Sequence, residues 1–313
     1  RGVSVIIFTQ KNSCAYYLKE VFLLNVVLDR FCSFLSDERQ LKDSTVNSYK
    51  SDIEHFLKFY GKNIKFADSA VIRDYINHLQ DEGKSAATVS RSVVSLRALY
   101  SFLSAFGMIK RNPMENIDMP KSDRKLPMIL DESETERLLN APDESDLKGV
   151  RDKAMLELLY ASGIKVSELI SLNVSDINLR RGILSCSGSG GTRTIPVGKH
   201  AVFAVSAYLK TVRPVMAQGS GEKALFVNCS GKRMSRQGFW KLIKTYKDAA
   251  EIDKEITPHM LRHSFAAHLL KNGADADSVS EMMGFSDSSS TLVYKKILEN
   301  KIFDVYKRAH PRA

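Results

Sequence analysis

Apolar residues recur every three or four positions through most of the chain, which is the spacing of helices that bury one face. Between residues 24 and 110 this pattern predicts four helices and no strand. The first places Val27, Phe31 and Leu35 on one side, and the last, Thr88 to Phe106, repeats the pattern over about five turns. We therefore expect a bundle of amphipathic helices in this part of the chain.

The pattern stops between residues 111 and 130, where three prolines and several charges predict a linker. Helical spacing resumes at residue 131 and continues toward the end of the chain. Residues 181–198 are the exception, because short apolar runs flank a Gly/Ser turn there and predict a β-hairpin. The predicted fold class is mainly α: a helical bundle, then an α+β domain over residues 131–313 with a small β-sheet.

Residues 1–23 precede the periodic pattern and are apolar with many β-branched side chains. They lack the strong basic start and the small-residue cleavage site of a signal peptide. We interpret them as part of a fragment or as an extension upstream of the native start, with no function assigned.

Charge points toward a polyanionic partner. The chain has 46 Lys and Arg against 36 Asp and Glu, for a net charge of +10, and neutralised phosphates release counterions on binding. The four cysteines are scattered without metal-ligand spacing, so we expect no metal site and a reducing compartment. No stretch reaches the roughly 18 apolar residues of a membrane span, so no membrane partner is expected.

One segment carries candidate chemistry for a phosphodiester. His259 and Arg262 lie three apart after Pro258, so a helix opening at the proline projects both from one face. Arginine binds phosphate oxygens with a planar fork, histidine relays protons, and a tyrosine such as Tyr294 can serve as a covalent nucleophile.

These residues lie in TPHMLRHSFAAHLL (257–270) and MMGFSDSSSTLVY (282–294), which resemble the catalytic half of tyrosine recombinases, most closely the Xer type. The resemblance extends in order through most of the chain, from about residue 24 to residue 313. Its further segments are 44–60 and 85–103 (two helices of the DNA-binding domain), 112–130 (the interdomain linker), 160–179 (the first catalytic arginine) and the ending AHPRA (309–313).

The resemblance implies a core-DNA-binding domain over residues 24–110, a linker over 111–130 and a catalytic domain over 131–313. It implies that a tyrosine attacks a DNA phosphate, forms a 3′-phosphotyrosyl link and is released by a second strand's 5′-hydroxyl, with no metal, ATP or other cofactor. The implied partners are double-stranded DNA and a homo- or hetero-tetramer with a related recombinase. The implied location is the bacterial cytoplasm, at the nucleoid.

The chain keeps three of the six catalytic positions that the resemblance implies: Tyr294 as nucleophile, Arg262 and His259. Lys165 stands where the family has its first arginine, and lysine loses bidentate binding. Ser189 stands at the hairpin position of the catalytic lysine, and Phe285 at that of the second histidine. We interpret His263 as structural, because it points elsewhere on the helix than the catalytic pair, and Glu168 as bracing the site.

Candidate DNA contacts come from the polar face of the fourth helix and from the hairpin. That face consists of Ser90, Arg91, Ser95 and Arg97. We expect it to contact DNA, because small hydroxyls permit close approach and arginines hold phosphates. Lys50 on the second helix and Arg193, the cation nearest the hairpin tip, are further candidates.

Two functions therefore remain open. One is an impaired recombinase that still forms the phosphotyrosine, and the other is a non-catalytic DNA-binding relative that acts as an architectural or regulatory partner. A generic helical DNA-binding regulator is a third, weaker alternative, because it would not need this tyrosine. A last helix, Lys301 to Lys307, is expected to dock on a neighbouring protomer.

Overall fold

A computed structural model describes residues 26–119, 127–188, 191–285 and 293–294. It divides into two compact units, residues 1–124 and 125–313. The fold is mainly helical with one small sheet in the second unit, which confirms the predicted fold class.

The first unit is a helical bundle. Its described helices are α1 (26–33, continued by a π-helical turn, Phe34–Glu38), α2 (Asp43–Tyr60), α3 (Ser69–Asp81) and α4 (Ala86–Ala105), with a short 3₁₀ turn at Ile64–Phe66. The predicted apolar face of α4 is buried at every position, including Leu96, Leu99 and Tyr100. Ser85 caps this helix by accepting a hydrogen bond from the Thr88 N–H.

α2 begins at Asp43, with Lys42 in the N-cap position. The core also takes Met114 and Ile117 from the segment predicted as linker, while Ile129 and Leu130 at its other end are buried in the second unit. Both ends of residues 111–130 therefore belong to the two cores.

The second unit surrounds a three-stranded antiparallel sheet with helices. Its elements are α5 (Glu132–Asn140), α6 (Leu147–Ser162), α7 (Val166–Ser171), β1 (Ile177–Asn178), β2 (Ile183–Gly188), β3 (Gly191–Pro196), α8 (Lys199–Ala207), α9 (Arg213–Met216), α10 (Arg236–Ala249), α11 (Pro258–Lys271) and α12 (Ala276–Met283). A π-helical turn, Tyr208–Val212, connects α8 to α9. The hairpin β2–β3 agrees with the prediction, and its register places Cys186 opposite Arg193. The short β1 strand was not predicted.

Two groups of apolar side chains stabilise this unit. The larger packs α6, α8 and α10 around Leu156, Leu159 and Leu184, which are fully buried. The smaller joins α11 and α12 and includes Phe265, Met283 and Tyr294. The last helix, predicted at Lys301–Lys307, lies outside the described residues, and of residues 286–300 only 293–294 are described.

Candidate active site

α11 presents the histidines and the arginine of the motif. Thr257 is its N-cap residue and Pro258 its first residue, where a fixed φ suits the helix and no N–H is lost. His259, Arg262 and His263 therefore occupy the first two turns, three and four residues apart along neighbouring faces.

Arg262 is buried, with only 3% of its surface exposed. Its guanidinium donates hydrogen bonds to the Gly163 carbonyl, at the end of α6, and to the Met283 carbonyl, at the end of α12. The guanidinium carbon lies 5.2 Å from the centre of the Phe285 ring, which gives a cation–π contact. Burial lowers the pKa of Arg262, but a guanidinium stays charged in proteins, so a fixed positive charge lies at this point.

Gly163, whose carbonyl accepts the Arg262 hydrogen bond, has no room for a side chain. It ends α6 with a left-handed φ of 59°, and a Cβ there would lie 2.2 Å from the Phe265 ring. A side chain at this position would strain the backbone and would displace the Phe265 ring of α11.

His259 lies at the surface beside three cations, with part of its ring covered. Partial burial lowers its pKa, and Arg262, Arg236 and Lys165 lower it further. The imidazole is therefore neutral at neutral pH and can donate one hydrogen bond to a phosphate. Because Lys165 and Arg262 both lower the pKa of this one ring, they lie in the same neighbourhood.

Lys165 precedes α7 as its N-cap residue. Its backbone N–H donates to the Glu168 carboxylate over 2.8 Å, and its side chain is half-buried. Together with Ser187 and Gly188 of the hairpin it lines a cavity of about 250 Å³ between α7 and β2. Ser189, predicted to line the same site, lies outside the described residues.

Arg193 faces inward, which corrects its prediction as a DNA contact. It forms a bidentate ion pair with Glu168 and donates from Nε to the Met282 carbonyl over 2.8 Å. Gly188 and Gly284 leave the necessary space, because a Cβ at either would approach the Glu168 carboxylate or the Arg193 guanidinium within 3.0 Å. All the described contacts of Arg193 are therefore internal.

Tyr294 is buried, with 3% of its surface exposed, and its hydroxyl lies 2.7 Å from Nδ1 of His263. The interpretation of His263 as a side chain directed elsewhere was therefore wrong. The adjacent Arg-His pair gave no signal for this contact, because it depends on how the later segment packs against α11. Burial raises the pKa of Tyr294, and Arg262 offsets part of that rise.

Burial, His259 and Arg262 together lower the pKa of His263 to about 4. His263 is therefore neutral at physiological pH. In the tautomer that carries its proton on Nε2, it accepts the Tyr294 hydroxyl proton in a hydrogen bond.

The two arginines predicted as DNA contacts on α4 both make internal hydrogen bonds. Arg91 forms a bidentate pair with Asp52, with 51% of the arginine side chain exposed, and Arg97 donates to the Ile117 carbonyl over 2.7 Å. Ser95, expected on the outer face, is fully buried and donates to Asp52.

The Ser90 hydroxyl is buried with no hydrogen-bond partner, so it does not form part of an accessible face. Lys50 is half-buried, and its charge offsets part of the rise that burial causes in the pKa of the Cys32 thiol. The polar face of α4 thus mainly braces the bundle, because the acidic Asp52 from α2 faces it.

A basic stripe on α10 was missed by sequence reasoning. Arg236, Trp240 and Lys244 are exposed and four residues apart, and the Lys244 ammonium lies 5.7 Å from the centre of the Trp240 ring. Arg236 lies near enough to lower the pKa of His259, so the stripe begins beside the candidate site. Its signal was the spacing of two cations around one tryptophan on a single helix face.

In the ranges that the structure describes, no group of three or more His, Cys, Asp or Glu side chains is arranged to hold a metal ion. Among the described helices, none has the length and apolar character required to cross a membrane.

Comparison with known proteins shows the family to which this chain belongs. Residues 128–301 match the phage integrase family, and residues 28–107 match its N-terminal SAM-like domain. The chain is 44% identical over 298 residues to tyrosine recombinase XerD of Oceanobacillus iheyensis, covering 93% of this chain and 100% of the relative.

Two solved structures share the fold. A XerH site-specific recombinase bound to a palindromic difH substrate gives a TM-score of 0.72 at 19% identity, covering 89% of this chain and 82% of that one. A lambda integrase tetramer bound to a Holliday junction gives a TM-score of 0.67 at 20% identity, covering 86% and 76%. Because of these family matches and its 44% identity to a tyrosine recombinase over 93% of its length, this chain belongs to the phage integrase family of tyrosine recombinases.

Proposed function

We propose that this chain is a site-specific recombinase whose Tyr294 attacks a DNA phosphate and forms a 3′-phosphotyrosyl link. A 5′-hydroxyl of a second strand then attacks that link and releases the tyrosine. The observation that carries the proposal is the approach of the Tyr294 hydroxyl to His263, on the same two helical turns as Arg262 and His259.

The remaining groups support slow chemistry. Arg262 and Lys165 bind the non-bridging oxygens, on which negative charge gathers in the transition state, and His259 donates a further hydrogen bond. The hairpin offers Ser189 where a lysine would protonate the leaving oxygen, and Phe285 has no N–H to donate. A missing general acid costs roughly 10²–10⁴ in rate, so the isolated protein is expected to cleave slowly.

The proposed partner is double-stranded DNA in a homo- or hetero-tetramer with a related recombinase. The net charge of +10 and the exposed stripe of Arg236, Trp240 and Lys244 support DNA binding. Domains 24–110 and 131–313 would both contact the duplex, joined by residues 111–130. Residues 301–307 would dock on a neighbouring protomer. The named relative is bacterial, so the proposed location is the bacterial cytoplasm, at the nucleoid.

A second candidate is a non-catalytic DNA-binding partner of an active recombinase. The observations that favour it are Lys165 in place of an arginine and Phe285 in place of a hydrogen-bond donor. This candidate keeps the DNA contacts but makes no covalent link.

A covalent-adduct assay separates the two candidates. Tyr294→Phe would first select binding sites from a random duplex library, because it binds without cutting. The selected site would then be nicked near the cleavage position so that the cleaved fragment diffuses away, and the wild type would be incubated with it. We expect a slow, denaturation-resistant protein–DNA adduct that the Tyr294→Phe control does not form.

The outcomes are distinct. An adduct that depends on Tyr294 supports the recombinase. Specific binding without any adduct, even when a catalytically competent relative occupies the other half of the site, leaves the non-catalytic partner. An adduct that persists in Tyr294→Phe would exclude Tyr294 as the nucleophile.

A further inference from the structure

The Tyr294 hydroxyl has one close polar neighbour among the described hydrogen bonds, and it is not the motif histidine His259. Its oxygen lies 2.7 Å from His263 Nδ1, and the two rings are 5.6 Å apart between centres. His259 lies one turn earlier, with its ring centre 6.3 Å from that of His263. The nucleophile is thus in hydrogen-bond contact with His263, while His259 stays on the exposed side of α11.

The surroundings of His263 suit a proton acceptor. The ring is half-buried, and the charged or titratable groups that face it are His259 and Arg262 on its own helix and Tyr294 from the later segment. Two of these disfavour a protonated imidazole, so Nδ1 keeps a free lone pair toward the phenol at neutral pH. General bases act from within hydrogen-bond reach of the proton they take.

We propose that His263 orients the Tyr294 hydroxyl and accepts its proton when the tyrosine attacks DNA; the assignment rests on the recombinase function proposed above. The O–H bond of Tyr294 breaks as an N–H bond forms at His263 Nδ1, and the phenolate oxygen bonds to phosphorus. The bond between phosphorus and the 5′-oxygen breaks, and that oxygen takes a proton from water. In the reverse step the His263 imidazolium returns its proton to the tyrosine oxygen.

This assignment divides the two histidines by role. His259, exposed beside Arg262 and Lys165, serves the phosphate. His263, on the next turn, serves the nucleophile. The phenol needs such help because burial raises the pKa of Tyr294, so the phenolate is scarce at neutral pH.

The test uses a substrate whose 5′-bridging oxygen is replaced by sulfur, because a thiolate leaves without protonation. Because the leaving group then needs no proton, the rate of adduct formation depends on the attack by Tyr294 and on the removal of its proton. For the full-length wild type we expect a rate that is nearly constant from about pH 7 to 9, because His263 is neutral throughout this range.

His263→Asn keeps a polar atom near the phenol but cannot take a proton. We expect its rate at pH 7 to fall by roughly 10²–10⁴ and to rise about tenfold per pH unit, because hydroxide must remove the proton. His259→Asn is the matched control one turn away. It should lower the rate but keep the flat pH profile. A structural role for His263 would lower the rate without creating this slope.

The outcomes separate this assignment from the proposed function. A wild-type rate that already rises tenfold per pH unit overturns the assignment without any variant, even if His263→Asn does not fold. A flat profile in a folded His263→Asn also overturns it, and in both cases the recombinase function stands. If the wild type forms no adduct with the thiol-leaving substrate, the proposed function fails and takes the assignment with it.

Discussion

Arg193 and Glu168 form a bidentate ion pair, with Nη1 3.0 Å from Oε1 and Nη2 2.9 Å from Oε2. Both side chains are largely buried, with 13% and 6% exposed. Because Arg193 also donates to the Met282 carbonyl, this pair ties the hairpin to α7 and to the end of α12. The hairpin carries the tip of the site, α7 follows Lys165, and the end of α12 precedes Phe285. One ion pair therefore positions three parts of the candidate site.

Arg193→Gln should destabilise the second unit strongly, because it leaves a buried carboxylate without its charged partner. Breaking a buried pair from one side typically costs about 3–5 kcal/mol of unfolding free energy, measurable by urea denaturation. The double variant Arg193→Met with Glu168→Met removes both charges and should be much closer to wild type. An Arg193→Gln protein within about 1 kcal/mol of wild type would contradict a stabilising pair.

The same pair predicts a pH dependence. Burial by itself would raise the pKa of Glu168, but the Arg193 hydrogen bonds and the Lys165 N–H outweigh it and hold the pKa below the ordinary value. A lowered folded-state pKa gives stability that is present above the unfolded pKa and lost as pH falls through the folded one. The stability gap between wild type and Glu168→Gln should therefore be full at pH 7 and shrink below about pH 4. A gap that grows on acidification would reverse the sign.

Restoring the altered catalytic positions should raise the rate unequally. Ser189→Lys supplies a proton donor for the leaving oxygen and should gain up to roughly 10²–10⁴ on ordinary DNA. Lys165→Arg should gain less than the roughly 10²–10³ of one preorganised donor, since the leaving oxygen still lacks an acid. Adduct formation on a nicked duplex measures both effects.

The thiol-leaving substrate is the control for this pair of variants. It should abolish the advantage of Ser189→Lys while keeping that of Lys165→Arg, because only the first acts on the leaving group. If the wild type cleaves this substrate no faster than ordinary DNA, the missing acid does not limit the reaction.

The α10 stripe should contribute to DNA affinity. Arg236→Ala and Lys244→Ala should each weaken binding across sequences and reduce the slope of log affinity against log salt by about 0.9, as expected for one phosphate contact. Lys148→Ala, an exposed lysine on α6, is the matched control. Salt-titrated binding measurements that leave both slopes at the wild-type value would remove α10 from the interface.

Arg91 should matter for the stability of the first unit. Asp52 is buried and accepts hydrogen bonds from Arg91 and Ser95. Arg91→Ala therefore leaves a buried carboxylate without its charged partner and with fewer hydrogen bonds. Because half of the Arg91 side chain is exposed and screened by solvent, we expect a loss of about 1–3 kcal/mol in thermal or urea unfolding. Unchanged stability together with weaker DNA binding would restore Arg91 as a DNA contact.

The spacing of apolar residues predicted the helices well, because a helix that buries one face needs an apolar residue every three or four positions. Phe31, Leu35 and Leu96 lie in the core as expected. Arg193, Ser95 and His263 were misplaced for a common reason. Each has a partner distant in sequence, namely Glu168, Asp52 and Tyr294, and local spacing does not specify which of several polar side chains will meet one another.

Gly163 meets three demands at a single position: a left-handed turn, contact with the Phe265 ring and acceptance of the Arg262 hydrogen bond. Every missense change in a glycine codon adds a side chain, so random mutation at this position disturbs the turn, the Phe265 packing and the Arg262 hydrogen bond together. Lys165 and Phe285 are half-buried, and neither has the left-handed φ that restricts Gly163. A lineage carrying this fold can therefore exchange the side chains at these two positions more readily than the glycine, where a single change disturbs three features at once.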